Sequence, residues 1–356
     1  MSMKVSIVGA GNGGIVAAAD LTSRGHEVTL YHSLQALKDP HEDIMQGKVH
    51  YRGEPLYLHK FTQDPLEAVK GADVIMTCLP THILAQMFEE FIPYLQDGQM
   101  IFINGASAMN SVVLSNILEE KRPEVDVLIG ESMSLTYAAR YDYEENDADI
   151  ILKSKHNLFS AYPSSNTERM MEKLTVLYDT LVPAQNIIET ALNNGNPESH
   201  PAPSILNTGT IDNNGDSFYL YRDGVTNHTV KVIEAIDKER QKVCEVLGFE
   251  VLDKSARSER STYFEPDKPL KEQYNESPVL KDLVGPVTLN NRYIVEDVGY
   301  GLVLWKSIAE AAAVETPAID SIIHLTSLML EVDFTREGLT LDKMGLDKTR
   351  DLNLQV

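Results

Sequence analysis

A glycine-rich turn between a buried strand and a helix is the feature that most restricts how this chain can fold. Residues 3–8 predict a strand, residues 15–23 predict a helix of small side chains, and residues 27–31 predict a second strand. The turn between the first strand and the helix reads Gly-Ala-Gly-Asn-Gly-Gly at residues 9–14. A G-x-G-x-x-G turn in this βαβ context indicates a dinucleotide-binding loop, with a plain glycine-rich turn as the alternative.

The glycines of this turn have separate predicted roles. Gly9 permits the tight turn, Gly11 lets the backbone approach a pyrophosphate, and Gly14 lets the helix pack close to the strand. The free N–H groups at the start of the helix and the positive end of its dipole would hold the phosphates. The dinucleotide-binding residues predicted in this turn are Gly9, Gly11, Asn12, Gly13 and Gly14.

Strand-like and helix-like segments alternate up to about residue 185, which favours an α/β fold with a doubly wound, mainly parallel Rossmann-type sheet. In such a sheet the ligand lies beyond the carboxyl ends of the strands. Pro80 and Asn104 each lie where a predicted strand ends, so we expect both near the dinucleotide. Further strands are predicted at residues 72–80, 100–105, 125–131, 148–152 and 158–162.

The pattern after about residue 186 is mostly helical, with Leu328 expected on the inward face of the last long helix. The polar and charged residues 255–277 predict an exposed excursion from the surface. The Asp- and Asn-rich residues 212–216 predict a turn. The helices are predicted at residues 230–247, 302–314 and 317–332.

Length and composition bound the class of protein. At 356 residues the chain is long enough for about two domains. We predict a dinucleotide-binding Rossmann domain at residues 1–185 and a helical catalytic and substrate-binding domain at residues 186–356. The net charge of −22 argues against a nucleic-acid partner, because a phosphate backbone attracts Lys and Arg.

The cysteines and the hydropathy pattern indicate the compartment. Cys78 and Cys244 lie far apart and have neither a C-x-x-C partner nor a metal-ligand spacing, so we expect buried thiols, no disulfide and no metal site. No signal peptide and no run of 18 apolar residues is found in the sequence, so we expect no membrane contact. These observations together predict a cytoplasmic protein.

Three residues of the second half could perform dehydrogenase chemistry. Such an enzyme needs a proton donor or acceptor, a group that orients it, and a cation for a substrate carboxylate. His200 suits the first role because its ordinary pKa lies near neutrality. Asp297 could orient the imidazole, and the planar guanidinium of Arg292 could grip a carboxylate. From spacing alone, a helix cap and a structural ion pair are the more common roles of such residues.

The stretches around these residues resemble the opine dehydrogenase family, which includes octopine and nopaline dehydrogenases. The resemblance is strongest at residues 194–207, with their His-Pro step, and at residues 285–346. There the segments Gly-Pro-Val-Thr-Leu-Asn-Asn-Arg-Tyr, Glu-Asp-Val, Gly-Leu-Val and Asp-Phe-Thr-Arg-Glu-Gly fall in the family's order. The resemblance covers nearly the whole chain. It implies that His200 and Asp297 are the catalytic pair and that Arg292 binds the oxo-acid carboxylate.

The resemblance also implies a reaction. Opine dehydrogenases use NADH or NADPH to condense an amino acid reductively with a 2-oxo acid, usually pyruvate, to an N-(1-carboxyalkyl)-amino acid. His200 would take a proton from the incoming ammonium and return one to the hydroxyl that leaves as water. Glu131, at a strand end, resembles an acidic family position near the amino acid, and a helix or turn cap is its alternative role.

The end of the second strand departs from the usual NAD pattern. An Asp or Glu commonly stands there to bind the ribose hydroxyls, but this chain has His32 followed by Ser33, and Asp39 lies too far along. No acid is therefore expected to repel a 2′-phosphate, which His32, Ser33 or Lys38 could contact. We expect NADPH at least as much as NADH, with His32 and Ser33 as cofactor-binding residues.

Two other functions fit the same plan. A 2-hydroxy-acid or ketopantoate-type dehydrogenase has a similar two-domain arrangement, and some relatives use a Lys on the first long helix of the second domain. Residues 193–207 contain no Lys and offer His200 instead. A non-catalytic dinucleotide-binding sensor would need none of the three candidate residues. The expected partners are an amino acid and a 2-oxo acid, and the oligomeric state, with a homodimer as one option, stays open.

Overall fold

The computed structural model describes residues 2–36, 38–105 and 108–346. The chain divides into two units, Met1–Ile187 and Ile188–Val356, two residues beyond the boundary that the sequence predicts. Among the described residues, no helix combines the length and the apolar character needed to cross a membrane.

Among its described residues, the first unit contains two sheets and six α-helices that begin and end within it. Its strands are β1 (Lys4–Val8), β2 (Glu27–Tyr31), β3 (Lys48–Tyr51), β4 (Glu54–Tyr57), β5 (Lys60–Thr62), β6 (Val74–Thr77), β7 (Met100–Ile103), β8 (Leu128–Ser132), β9 (Tyr137–Asp142), β10 (Asp147–Lys153), β11 (Asn157–Tyr162) and β12 (Leu181–Pro183). Its helices are α1 (Asn12–Ser23), α2 (Glu42–Met45), α3 (Pro65–Val69), α4 (Thr81–Phe91), α5 (Asn110–Lys121) and α6 (Thr167–Leu177).

The larger sheet confirms the predicted doubly wound architecture. Its strand order is β12-β11-β8-β7-β6-β1-β2-β5, and the six strands from β8 to β5 all run parallel. Strand β11 pairs antiparallel with β8 and extends the sheet. The chain moves from β1 to β2 and β5 on one side and then to β6, β7 and β8 on the other. The strand order therefore reverses between β1 and β6, where ligands bind in such sheets.

Helix α1 lies between the two sheets, which explains its composition. The smaller sheet has the order β4-β3-β10-β9 and packs against α1 on the side away from the larger sheet. The helix residues from Gly14 to Leu21 are all buried, and most are glycine, alanine or valine. Small side chains let both sheets approach the helix closely. The strand predicted at residues 148–152 is present as β10, but it belongs to this smaller sheet.

Two polar side chains of the smaller sheet fasten it to α1. The hydroxyl of Tyr51 donates a hydrogen bond to Asp20 Oδ1 at 3.2 Å. The ammonium of Lys153 lies 3.1 Å from the same oxygen. Asp20 is 3% exposed, so these contacts supply the partners that a buried carboxylate requires.

The second unit is helical, as predicted. Helix α7 (Ile187–Leu192) begins at the last residue of the first unit, and a single-turn π-helix spans Asp297–Leu302. The remaining helices are α8 (Asn196–Ser199), α9 (Pro201–Leu206), α10 (Thr208–Asn214), α11 (Asn227–Leu247), α12 (Lys254–Arg260), α13 (Leu270–Glu276), α14 (Arg292–Glu296), α15 (Val303–Ala311), α16 (Pro317–Leu330) and α17 (Phe334–Glu337).

Three expectations for the second unit are wrong. Residues 255–277 are not an exposed excursion, because they form most of α12 and all of α13 and bury Arg257 and Tyr274. Residues 212–216 lie in α10 and a following 3₁₀ turn rather than in a loop. Leu328 is 63% exposed, so α16 does not turn this residue inward.

Candidate active site

Two glycines of the first turn are required by the backbone. Gly9 has a φ of +105°, and an added Cβ would lie 2.5 Å from Leu79 Cδ2. At Gly14 an added Cβ would lie 1.8 Å from the carbonyl oxygen of Gly9. Side chains are excluded at both positions, so these glycines serve the tight turn and the close packing of helix on strand.

Gly11 differs from the other two, because the fold does not need a glycine there. Its φ is −90°, and an added Cβ would meet no other atom within 4 Å. Helix α1 begins just after it, with no side-chain cap and no acidic residue in its first turn. The missing side chain therefore leaves space in front of unoccupied N–H groups, an arrangement that fits a dinucleotide phosphate.

Two further residues of the turn are placed by contacts within the first unit. Asn12 is the first residue of α1, directly after the N-cap position of Gly11. The hydroxyl of Tyr137 donates to the carbonyl oxygen of Gly13 at 2.9 Å. This bond holds the start of the helix in place.

Asp39 lies beside the residue that follows β2, although it comes seven residues later in the chain. Its Oδ1 lies 3.6 Å from Nε2 of His32, which directly follows β2. Burial lowers the pKa of His32. The hydroxyl of Ser33 accepts a bond from the Gln35 N–H, and the ammonium of Lys38 lies over the ring of Tyr143 at 3.8 Å. An acidic side chain therefore lies beside His32, and the preference between NADH and NADPH stays open.

Pro80 and Asn104 lie at the carboxyl ends of β6 and β7, as expected. Pro80 occupies the N-cap position of α4. The amide of Asn104 is occupied within the protein, because it accepts from the Thr136 N–H at 3.0 Å and donates to the Thr136 hydroxyl at 3.1 Å. Asn104 therefore anchors the segment before β9, and its role as a cofactor ligand stays a prediction.

Glu131 is fully buried in β8. Its Oε2 accepts a hydrogen bond from the Ser111 N–H at 2.8 Å, in the first turn of α5. Burial raises the pKa of Glu131 to about 8 despite this and neighbouring N–H groups. The geometry favours the alternative role of a helix cap, and a contact with the amino-acid substrate stays a prediction.

The second unit brings His200 and Asp297 together across almost one hundred residues of sequence. His200 lies between α8 and α9, directly before Pro201. Its Nδ1 is 2.6 Å from Asp297 Oδ2, and its Nε2 is 2.6 Å from the hydroxyl of Tyr221. His200, Asp297 and Tyr221 are each 5% exposed. Both ring nitrogens are therefore engaged in a buried Asp–His–Tyr chain.

A close contact between α8 and the π-helix brings the pair into register. An added Cβ at Gly301 would lie 2.5 Å from Pro197 Cγ, so only glycine allows this approach. His200 follows Pro197 by three residues, and Asp297 precedes Gly301 by four. Each functional side chain thus stands about one turn away from the contact. Single π-turns of this kind are frequent at functional sites.

Aromatic rings surround the imidazole. The ring of Tyr293 lies 4.2 Å from that of His200 between centroids. The ring of Tyr221 stacks on Tyr274 at 5.8 Å with an angle of 3°. Burial, with Tyr293 and Tyr274 nearby, raises the pKa of Tyr221 well above its ordinary value. The Tyr221 hydroxyl is therefore protonated at neutral pH. The sequence contains no local signal that would identify Tyr221 as a contact of His200.

Arg292 is the first residue of α14 and is exposed. Its guanidinium carbon lies 5.7 Å from the ring centre of Tyr293, and its charge opposes the upward shift of the Tyr221 pKa. Within the part of the chain that the structure describes, no carboxylate pairs with this guanidinium. The cation is therefore available to a carboxylate brought in by a ligand.

Glu198, two residues before His200, belongs to a buried cluster of charged side chains that the sequence did not predict. In this cluster Arg257 Nη2 lies 2.6 Å from Glu198 Oε1 and 3.1 Å from Asp237 Oδ1. Arg240 Nη2 lies 2.8 Å from the same Asp237 oxygen, and Lys254 Nζ lies 3.1 Å from Glu198 Oε1. Burial alone would raise the pKa of Asp237, but Arg240 and Arg257 hold it at about 2. Through Glu198, the cluster fixes the position of α8 against α12.

Comparisons with known proteins agree with this fold and indicate an NAD(P)-dependent oxidoreductase. The family described as NAD/NADP octopine/nopaline dehydrogenase, alpha-helical domain, matches residues 183–330. The family described as NAD-dependent glycerol-3-phosphate dehydrogenase N-terminus matches residues 4–137.

Relatives match along the whole chain. Opine dehydrogenase of Arthrobacter sp. (strain 1C) is 28% identical, over 97% of this chain and 96% of the relative. The structure of octopine dehydrogenase with NADH and L-arginine superimposes with a TM-score of 0.76 at 20% identity, covering 99% of this chain and 98% of that one. Yersinopine dehydrogenase with NADP⁺ bound gives 0.70 at 16% identity, covering 99% and 98%. The chain is similar to opine dehydrogenases along nearly its whole length, which confirms the resemblance seen in the sequence.

The open space at Gly11 generates a test of the dinucleotide loop. Gly11→Val should leave the melting temperature near that of the parent, because an added Cβ meets no atom of the described residues within 4 Å and the backbone conformation is one that any residue adopts. Binding of NADH and NADPH, followed by nicotinamide fluorescence, should weaken by at least about 100-fold, since the backbone can no longer approach the pyrophosphate. Gly209→Val is the matched control, because a Cβ there also meets nothing within 4 Å. Parental affinity in Gly11→Val would show that the phosphates bind elsewhere.

The ion cluster generates a prediction for stability. Arg257→Met should lower the free energy of unfolding by about 3–5 kcal/mol, because two buried carboxylates lose a shared partner. Arg260→Met, on the same helix, breaks the exposed pair with Glu250 and should cost at most about 1 kcal/mol. Urea unfolding of both variants gives the comparison. Equal losses would mean that burial does not distinguish the two arginines.

Proposed function

We propose that this protein uses NADH or NADPH to condense an amino acid reductively with a 2-oxo acid, with pyruvate as the expected oxo acid. The product is then an N-(1-carboxyalkyl)-amino acid. The observation that carries this proposal is the buried His200–Asp297 pair, 2.6 Å apart, in the same unit as the unpaired guanidinium of Arg292. Similarity to opine dehydrogenases along nearly the whole chain supports the same reaction.

His200 performs the proton transfers in this proposal. The amino acid arrives as an ammonium ion and cannot attack a carbonyl until it loses a proton, which the neutral imidazole accepts. The amine then adds to the oxo acid, and the resulting hydroxyl must leave as water. The imidazolium returns the proton to that hydroxyl, so the two transfers cancel. The positively charged imine that remains is a good hydride acceptor.

Asp297 fixes the tautomer of the imidazole that these proton transfers require. Its carboxylate accepts the Nδ1–H bond at 2.6 Å, which keeps the lone pair of neutral His200 on Nε2. The same carboxylate stabilises the imidazolium after protonation. Because both groups are 5% exposed, water does not compete for this bond.

Arg292 holds the oxo-acid carboxylate. A planar guanidinium binds a carboxylate through two parallel hydrogen bonds, which fixes the orientation of the attached carbonyl group. Glycines at positions 9, 11, 13 and 14, with Asn12, would hold the dinucleotide, whose reduced nicotinamide supplies the hydride. His32 and Ser33, at the end of β2, would contact its ribose. A homodimer and a cytoplasmic location stay predictions.

The reaction itself is tested by a coupled assay. With pyruvate and NADH or NADPH, the protein should oxidise the cofactor only when an amino acid is added, and mass spectrometry should find the N-(1-carboxyethyl)-amino acid. A panel of amino acids identifies the preferred amine. Reduction of the oxo acid without an amine, as the main activity, would favour a 2-hydroxy-acid dehydrogenase. Cofactor binding with neither activity would favour the sensor.

The two roles have different kinetic signatures. His200→Ala should lower turnover by about 10²–10⁴-fold and leave cofactor affinity unchanged, because it removes proton transfer alone. Arg292→Lys should chiefly raise the oxo-acid Michaelis constant, since an ammonium cannot reproduce the bidentate contact. Arg140→Lys, at an exposed arginine on β9, is the control for Arg292→Lys and should leave the oxo-acid Michaelis constant unchanged. An unchanged oxo-acid Michaelis constant in Arg292→Lys would contradict the carboxylate-binding role.

A further inference from the structure

The nitrogen that His200 must offer to the substrate already has a partner. Nδ1 is bonded to Asp297, so proton exchange has to use Nε2, and Nε2 lies 2.6 Å from the Tyr221 hydroxyl. Two arrangements are consistent with catalysis. Either the hydroxyl moves away when substrate binds, or it stays and passes the proton between His200 and the substrate.

The surroundings of Tyr221 oppose its movement. Its ring stacks on Tyr274 at an angle of 3°, and Tyr274 is in turn held by the Ser199 hydroxyl at 2.7 Å and by the ring edge of Phe264. The main chain is fixed as well, because Asn275 Nδ2 donates to the carbonyl oxygen of Tyr221 at 2.6 Å. A rotation of the ring would break packing in a buried aromatic stack.

The charges around the hydroxyl suit a transfer that never leaves a free tyrosinate. Asp297 lies beyond the imidazole, and the rings of Tyr293 and Tyr274 flank Tyr221, while Arg292 is the cation that acts on it. Burial keeps the Tyr221 pKa high, so a phenolate is not a stable state. A hydroxyl can still donate its proton at the moment when it accepts another one from the imidazolium.

We propose that Tyr221 is a catalytic residue that relays protons between His200 and the substrate. The proposal rests on the proposed function and deepens it. In the dehydration step, the departing hydroxyl takes the Tyr221 proton and leaves as water, while the phenolic oxygen takes the proton from Nε2 of the imidazolium. The C–O bond breaks, the amine lone pair forms the C=N bond, and His200 returns to its neutral form. Deprotonation of the ammonium uses the same path in reverse.

Tyr221→Phe tests the relay, because it removes only the hydroxyl and keeps the stacked ring. Turnover with amino acid and oxo acid should fall by at least about 100-fold, with cofactor affinity and melting temperature near those of the parent. Tyr141→Phe removes a similarly buried hydroxyl of the first unit, which bonds Asn146, and its turnover should stay within about threefold of the parent. Tyr221→Met, a second variant without the hydroxyl, should repeat the loss of turnover.

A spectroscopic measurement separates a relay from a positioning role. The downfield proton resonance of the Nδ1–H bond to Asp297 should persist in Tyr221→Phe, because the pair stays in place. Loss of that resonance together with turnover would assign Tyr221 to positioning and overturn the relay. Parental or higher turnover in Tyr221→Phe would also overturn it, since the hydroxyl would then only cover His200. Absence of amine-dependent activity in the parent would instead refute the proposed function.

Discussion

The approach of α8 to the π-helix is the constraint on which the candidate active site depends. Pro197 and Gly301 touch so closely that any side chain at Gly301 would collide with the proline ring. From this contact the chain reaches His200 in one direction and Asp297 in the other, each about one turn away. A displacement of either element by an ångström would stretch the 2.6 Å bond between them. The register of two short helices therefore determines whether Asp297 can hold the imidazole in place.

The buried ion cluster explains why such short helices are well placed. Helix α8 has four residues, and a helix of this length has little stability of its own. Glu198, its buried carboxylate, is bound by Arg257 and Lys254 from α12. Burying charges is costly, and pairing them offsets much of that cost without adding much stability. The cluster fixes the position of α8, because any movement of the helix would separate a buried charge from its partners.

The sequence predicts the features that depend on a local pattern of residues. It does not predict contacts between residues that lie far apart along the chain. The glycine turn, the parallel strands and the helix that ends at Gly248 all have local signals, and they are present. The smaller sheet was missed because β3 and β4 are short and partly polar, and β3 finds its second neighbour in β10 far along the chain. Arg257 was assigned to the surface because a charged stretch normally is exposed, and its buried partners lie in other helices. No pattern in the sequence marks Tyr221 as the partner of His200.

Residues that the fold does not require are the most informative about function here. Gly9 and Gly14 are explained by collisions that larger residues would cause, so their presence follows from folding alone. Gly11 has ordinary backbone geometry and open space beside it, so packing gives no reason for a glycine. Arg292 likewise makes no ion pair among the described residues, whereas the buried arginines of its unit are all paired. Because protein packing accounts for neither residue, binding of a phosphate at Gly11 and of a carboxylate at Arg292 are the simplest physical explanations of the two.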